Sequence, residues 1–212
     1  MESLNYRIDK PLPAFMEHEG RKYYLSLYFD RVIRFYEMMK DSDQALSRSD
    51  KLDIAYDWFV ERPKTASPTE KIAVVDRICR EHLADPRAKN RENTGKERTA
   101  VNFISDSSYI YAAFRQYYGM NLFEQHGKLT WWEFRAMFDC LPADSKIKEI
   151  MYIRTRKIPA SNGHNAEEIL RIKEQQEYYF LPENWEEVQR ESEDALSGLF
   201  DALVSKAKRE AV

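Results

Sequence analysis

The chain has 212 residues, of which 43% are hydrophobic and 33% are charged, and its formal net charge is −3. This length allows one domain or two small ones, with enough buried surface for a core that needs no disulfide or metal. The net charge excludes a strong global attraction to nucleic acid, and the six glycines favour helices over glycine-rich phosphate loops.

The cysteines and the apolar runs fit a protein of a reducing cytoplasm. The two cysteines, Cys79 and Cys140, are far apart, and we expect both to be reduced thiols on apolar helix faces. No apolar run approaches the ~18 residues of a membrane span. The N-terminal residues have no basic patch followed by an apolar stretch, so we expect no secretion signal.

Two extended apolar runs open the chain. Residues 12–16, "LPAFM", and 22–29, "KYYLSLYF", flank the segment "EHEGR" with its Gly20. This arrangement predicts a β-hairpin, which needs other elements to pack on because an isolated hairpin is marginally stable.

Three helices are predicted next, and each begins at a polar residue that can cap it. The caps are Asp30, Ser47 or Ser49, and Ser67. Pro68 and Glu70 after the third cap are typical of a capping box with proline at the first helical position. The predicted apolar stripes are Val32, Phe35, Tyr36 and Met39 in the first helix, Leu52, Ala55, Tyr56, Phe59 and Val60 in the second, and Ile72, Val75, Cys79 and Leu83 in the third.

A charged segment without periodicity divides the chain. Residues 85–100 are rich in charge, Asn and Gly, which indicates a linker. We therefore predict an N-terminal hairpin and helical unit at 1–84 and a C-terminal helical unit at 101–212.

The C-terminal unit begins with two aromatic helices. Asp106 is the predicted cap of a helix that ends at Gly119, and Thr130 with Glu133 forms the capping box of the next helix, which Pro142 ends. Their apolar positions recur at helical spacing and are Ile110, Ala113, Phe114 and Tyr117, then Trp131, Phe134, Phe138 and Leu141, with Trp132, Ala136 and Cys140 beside them.

Three further helices follow, so the predicted fold is mainly α, with an N-terminal β-hairpin followed by about seven helices in two units. A short helix begins after Asp144 or Ser145, another begins after Asn165, and a long one begins at Pro182. The stripe of the long helix serves either internal packing or a partner. Its candidate partner-binding residues are Trp185, Val188, Leu199 and Leu203.

We predict no catalytic residue, no cofactor and no metal site. The four histidines are scattered, neither cysteine has a partner at metal-ligand spacing, and we interpret the histidines as surface or capping residues. The chain also has no phosphate-binding glycine loop and no nucleophile elbow.

Ten of the 28 aromatic residues lie between Asp106 and Pro142. They can line a ligand site, stack nucleic-acid bases or fill a core. Base-stacking platforms interleave aromatic with basic residues on an exposed face, whereas these aromatics follow helical stripes, so we favour a core. The candidate core motif is Tyr109, Ile110, Phe114, Tyr117, Trp131, Trp132, Phe134 and Phe138.

The same stretch resembles a family of phage and prophage proteins encoded in the tail-assembly cassette near the tape-measure protein. The resemblance rests on Asp106 before Tyr109 to Tyr111, on Tyr118-Gly119, on Trp131 to Phe134, on Leu141-Pro142 and on Ile150 to Arg156. It covers about 60 residues closely. Asn121 replaces an acidic residue of the family pattern, and Thr130 replaces a histidine, which removes any metal argument at that position.

The resemblance implies a non-enzymatic tail assembly chaperone of a phage with a long non-contractile tail. Its implied partners are the tape-measure protein and the tail-tube protein, and it would leave before the virion matures. A homo-oligomer fits this role, and we expect neither membrane nor nucleic-acid partners. Two alternatives stay open: a structural tail or connector protein retained in the virion, and a nucleic-acid-binding regulator that uses the basic segments 87–98 and 154–157.

Overall fold

The computed structural model describes residues 8–40, 46–63, 65–84, 99–161 and 164–182. The strands are β1 (Phe15–His18) and β2 (Arg21–Tyr24). The helices are α1 (Phe29–Lys40), α2 (Arg48–Phe59), α3 (Pro68–Ile78), α4 (Ser107–Tyr118), α5 (Trp131–Asp139), α6 (Lys146–Thr155) and α7 (Ala166–Tyr178). A π-helical turn (Cys79–Leu83) extends α3, and a 3₁₀ turn (Leu122–Gln125) precedes α5. This architecture confirms the prediction of a mainly helical chain that begins with a hairpin.

The described residues fall into two compact units. Unit 1 contains the described residues within Met1–Glu92 and Gly119–Cys140. Unit 2 contains the described residues within Asn93–Tyr118 and Leu141–Val212. Unit 1 therefore holds the hairpin, α1–α3 and α5, whereas unit 2 holds α4, α6 and α7. The predicted boundaries at 1–84, 85–100 and 101–212 stay a prediction. Within the described ranges, no helix combines the length and the apolar character needed to cross a bilayer.

The hairpin of unit 1 is shorter than the two apolar runs that predicted it. Its turn is Glu19–Gly20, and both residues have positive φ (48° and 74°), which matches the right-handed twist of a two-residue hairpin. Residues 25–29 continue beyond β2 and bond to two other segments. Leu25 bridges Val60, and Tyr28 bridges Thr130.

Side chains from α3 hold the hairpin. Tyr23 Oη and Arg21 Nη1 donate to Glu70 Oε1 at 2.5 and 2.7 Å, and Arg77 Nη1 donates to the Glu17 carbonyl at 2.5 Å. Ser67 accepts from the Glu70 N–H as a cap should, at 3.2 Å. The predicted capping box is nonetheless only half formed, because the Glu70 carboxylate binds the hairpin.

Two of the predicted apolar stripes each contain one exposed residue. Met39 and Ile72 are exposed, whereas Met38 is buried in α1, and Val74 and Ile78 are buried in α3. Asp30, the predicted cap of the first helix, lies inside the first turn of α1, and its carboxylate accepts from the Gly127 N–H. Two other capping predictions are confirmed. Ser47 forms a reciprocal capping box with Asp50, and Thr130 forms the predicted box with Glu133. The thiols are free, and Cys140 is exposed rather than on an apolar face.

Unit 2 has an isoleucine-rich core between α4, α6 and α7. Ser145 precedes α6 and Asn165 precedes α7, but neither side chain caps its helix. Asp106 precedes α4, and its carboxylate faces Arg154 instead of the helix N–H groups. The main buried side chains are Ile110, Phe114, Leu141, Ile147, Ile150, Ile153, Ile169, Ile172 and Leu181.

Candidate protein-binding sites

The aromatic residues of α5 form a stacked row inside unit 1. The Trp131 and Phe134 ring centroids lie 5.7 Å apart, Phe134 and Phe138 lie 6.2 Å apart, and Phe29 of α1 stacks on Phe134 at 5.1 Å. All four side chains are buried. These rings therefore join α5 to α1 inside the core, and Trp131 also borders a cleft.

Trp132 has a different position from its neighbour Trp131. It is half-buried and lines a cleft of about 170 Å³ in unit 1, which we call the Trp132 cleft. Most of its lining is apolar. The lining residues are Leu12, Pro13, Ala14, Leu25, Leu27, Tyr28, His82, Thr130, Trp131 and Trp132.

Backbone hydrogen bonds fix the walls of the Trp132 cleft. The Trp131 N–H donates to the Leu27 carbonyl at 2.7 Å, and the Phe29 N–H donates to the Leu129 carbonyl at 3.1 Å. The Ser26 N–H donates to the Phe59 carbonyl at 2.8 Å. Since residues 25–29 are tied to the end of α2 and the start of α5, the cleft is built on rigid elements and needs little ordering when it binds.

Burial favours the neutral form of the histidine that lines the cleft. Burial lowers the pKa of His82, which favours the uncharged imidazole. Burial also raises the pKa of the Cys79 thiol to about 11 and raises the pKa of Tyr36. His82 is buried in the last turn of the π-helix, so the surface interpretation is wrong for this histidine, whereas its predicted position near a helix C-terminus is confirmed. An apolar group is the ligand chemistry that such a cleft favours.

In unit 2, the start of α4 is fixed by a buried ion pair. Arg154 donates from Nη1 and Nη2 to Asp106 Oδ2 and Oδ1 at 2.6 and 2.8 Å, and both side chains are at most 5% exposed. Arg154 also donates to the carbonyls of Tyr179 and Ala100, at 2.6 and 3.1 Å, and the Asn102 N–H donates to Asp106. This pair is structural, because its charges are satisfied internally and are closed to solvent.

The unit 2 members of the predicted core motif divide by burial. Ile110 and Phe114 are buried in the core of α4, α6 and α7, whereas Tyr109 and Tyr117 are half-buried. The Tyr109 ring contacts Tyr179 at 6.5 Å, and Tyr117 Oη donates to Asp144 at 3.5 Å. The half-buried pair therefore borders the surface, where a partner can reach it.

A shallow groove lies on α6 of unit 2. Its apolar part is formed by Leu141, Ala143 and the exposed Tyr152, and charged side chains line its rim. Such a mixture of apolar centre and polar rim is typical of a protein-binding surface. The charged rim residues are Asp144, Lys148 and Glu149.

The basic segment 154–157 is used inside unit 2. Arg154 is buried in its ion pair, and Arg156 Nη2 donates to Glu168 Oε1 at 2.8 Å. The Gln176 side chain donates to the Arg156 and Ile153 carbonyls and fixes the segment further. Segment 87–98 and the candidate partner-binding residues Trp185, Val188, Leu199 and Leu203 lie outside the described residues.

The sequence did not single out most of the cleft residues. Tyr28 and residues 12–14 stand in runs that read as hairpin strands, and only the long-range bridge of Tyr28 to Thr130 brings them to Trp132. A usable signal was Pro13, because proline ends regular strand pairing. Within the described ranges, no group of three or more His, Cys, Asp or Glu side chains is placed to hold a metal ion.

Together, the fold and these surfaces define a small helical protein whose two units each present an apolar depression to solvent. The chain belongs to the Bacteriophage Gp15 protein family, whose family model matches residues 8–181. No curated protein and no solved structure matches the chain.

Proposed function

We propose that this phage protein is a non-enzymatic tail assembly chaperone that binds the tape-measure protein and helps to recruit tail-tube subunits in the host cytoplasm. The observation that supports this role best is the Trp132 cleft, a small, uncharged and rigid apolar depression in a phage protein. The proposal includes release of the protein before the virion matures.

The size of the Trp132 cleft favours a protein partner over a metabolite. Small-molecule sites usually enclose about 300–1,000 Å³, whereas this cleft encloses about 170 Å³. A cavity of ~150 Å³ accommodates a benzene-sized group. The cleft therefore fits one large apolar side chain of a partner and leaves the rest of that partner outside.

A tape-measure protein offers side chains of this kind. A long helical protein carries apolar stripes at i, i+3, i+4 and i+7, and these aggregate when they stay exposed. A protein that takes one apolar side chain into a preformed cleft and covers the neighbouring surface keeps such a stripe in solution. Many copies along the stripe then protect the whole chain until the tube encloses it.

The alternative of a nucleic-acid-binding regulator loses part of its basis. Arg154 and Arg156, which motivated it together with segment 87–98, are held by Asp106 and Glu168 within unit 2. Phosphate binding needs clustered basic side chains that are open to solvent.

Co-expression with the tape-measure protein tests the proposal. The wild-type chain is compared with tryptophan variants that block either the Trp132 cleft or the groove on α6. Ala14→Trp fills the Trp132 cleft and Ala143→Trp fills the groove on α6, whereas Ala112→Trp adds the same side chain to an exposed position of α4 as the control. We expect the wild-type chain to bring the tape-measure protein into the soluble fraction. Ala14→Trp should lower that fraction several-fold, and the control should leave it unchanged.

Two results would contradict the proposal. If the tape-measure protein stays insoluble with the wild-type chain and forms no complex, the chaperone role is wrong. If Ala14→Trp and Ala112→Trp solubilise equally well, the Trp132 cleft is not the binding site. Mass spectrometry of purified virions separates the structural alternative, since stoichiometric retention in the particle contradicts release.

A further inference from the structure

The outward-facing backbone of β1 forms an open strand edge. The Leu25 N–H donates to the Ala14 carbonyl at 2.9 Å, and β1 pairs antiparallel with β2. In an antiparallel pair, residues that bond to the partner alternate with residues whose N–H and C=O groups point away from it. Ala14 therefore bonds inward, and Phe15 and Glu17 direct their backbone groups outward.

Two residues on this edge each offer only one backbone group for a further hydrogen bond. Pro13 has no N–H, and the Glu17 carbonyl already accepts from Arg77 Nη1. Among the residues that the structure describes, no group bonds to the outward N–H of Phe15 or of Glu17. The edge therefore offers both backbone groups of Phe15, the Glu17 N–H and the Pro13 carbonyl.

The geometry points to a second copy of this chain as the occupant of this edge, paired antiparallel through β1 with Phe15 on the two-fold axis. In that register, each Phe15 N–H donates to the Phe15 carbonyl of the other copy, and each Glu17 N–H donates to the other Pro13 carbonyl. Pro13 has no N–H to donate to the Glu17 carbonyl of the other copy. That carbonyl needs no such donor, because it already accepts a hydrogen bond from Arg77 of its own copy. The edge is thus complementary to itself in this register, and it leaves no outward acceptor or donor unused.

Other registers of the same two strands fit less well. With Glu17 on the axis, two carboxylates lie directly opposite each other, which is destabilising. With Phe15 opposite Glu17, the pairing needs the Glu17 carbonyl that Arg77 occupies. The backbone bonding pattern therefore selects Phe15 as the central residue.

The exposed side chains of the hairpin support the same register. Phe15 is 38% exposed and Tyr24 is 53% exposed, and their ring centroids lie 5.9 Å apart on one face. With Phe15 on the axis, these rings and their symmetry mates form one continuous aromatic row across a four-stranded sheet. Aromatic cross-strand pairs of this kind stabilise antiparallel strands.

The expected dimer is weak and depends on concentration. A short strand edge buries less area than the ~1,200–2,000 Å² of stable protein complexes. We therefore expect a monomer–dimer equilibrium of the full chain in sedimentation velocity over a wide concentration range. This inference does not require the chaperone role, and its test uses no tape-measure protein.

Matched proline variants test the backbone bonds. Phe15→Pro removes the outward N–H on the axis, and Lys22→Pro removes an outward N–H from the opposite edge of the same hairpin. We expect the dimer dissociation constant to rise at least ten-fold in Phe15→Pro and to stay within two-fold in Lys22→Pro, with circular dichroism as the check on folding. Equal effects of the two variants would overturn the proposed interface.

Cysteine cross-linking tests the register without proline. On a Cys79→Ala, Cys140→Ser background, Phe15→Cys places two thiols on the axis, within the Cα separation of ~4.4–6.8 Å that a disulfide needs. Glu17→Cys is the control, because the two Glu17 positions lie on opposite sides of the axis. We expect a covalent dimer from Phe15→Cys only. A monomer at every concentration, cross-linking that is equal in both variants, or a strand of another protein on this edge would overturn the proposal.

Discussion

Removing the Asp106 carboxylate should destabilise unit 2 more than any surface change. The Asp106 and Arg154 side chains are 2% and 5% exposed, and Arg154 makes two bonds to the carboxylate. In Asp106→Ala, the guanidinium loses its carboxylate partner, and the neutral carbonyls of Ala100 and Tyr179 cannot balance its charge. Breaking one side of a buried pair costs about 3–5 kcal/mol, and the Asn102 N–H also loses its acceptor.

Urea denaturation measures this loss. With a slope of about 2 kcal/mol/M, a loss of about 4 kcal/mol lowers the unfolding midpoint by roughly 2 M. Amide hydrogen exchange should assign the loss to α4 and α6, since Asp106 precedes one helix and Arg154 lies in the other. Glu149→Ala is the control, because it breaks an exposed pair with Lys146 on the same unit.

The double variant decides whether the charge itself causes the loss. Asp106→Leu with Arg154→Met removes both charges, so the penalty of an unbalanced buried charge disappears. The double variant should then cost less than the sum of the two single changes, a non-additivity expected for residues in contact. A loss in Asp106→Ala below about 1 kcal/mol, the range of exposed pairs, would refute this reasoning.

Three further changes have defined outcomes. Thr130→Ala removes the two hydrogen bonds of the Thr130 hydroxyl, one donated to the Glu133 carboxylate and one accepted from the Glu133 N–H, and should lower the unfolding free energy by about 1 kcal/mol in urea titration. Gly20→Ala meets no atom within 4 Å, so the positive φ of 74° alone should cost about 1–2 kcal/mol, measured the same way. His82 has a lowered pKa in the folded state, so the unfolded state binds more protons and stability falls as pH drops below about 6.5. The loss between pH 7.5 and pH 5 should be smaller in His82→Gln, and equal losses would contradict it.

Sequence signals that act over a few residues predicted local structure well. Ser47, Ser67 and Thr130 cap helices as expected, because the cap and the N–H that it accepts from are three residues apart. The hairpin turn at Gly20 was predicted for the same reason. The predicted burial of single stripe positions such as Met39 was wrong. Adjacent residues are 100° apart around the helix axis, so the packing partner decides which of them is buried.

Long-range pairing could not be predicted in this way. Asp106 and Arg154 both lie in the segments that resemble the phage family, yet no spacing rule joins residues 48 positions apart. Asp106 was predicted as a cap because the local pattern permits that role, but a buried guanidinium competes for the carboxylate more strongly than backbone N–H groups do. The Trp132 cleft was missed for a related reason, because the bridge between Tyr28 and Thr130 creates it.

Under the proposed chaperone role, the size of the Trp132 cleft also explains why a second copy would matter. One apolar side chain buried in it contributes about 1.5–3 kcal/mol, which is less than the ~4 kcal/mol of a millimolar complex. A single cleft therefore cannot hold a tape-measure helix by itself.

Ala14 lines the cleft and Phe15 lies on the strand edge, so pairing through β1 would place two clefts on one assembly. Binding at one cleft then raises the effective concentration at the other, and release needs only the weak strand edge to separate. On this reasoning, Phe15→Pro should lower the solubilisation of the tape-measure protein even though Phe15 is not among the residues that line the cleft, and unchanged solubilisation would show that the clefts act singly.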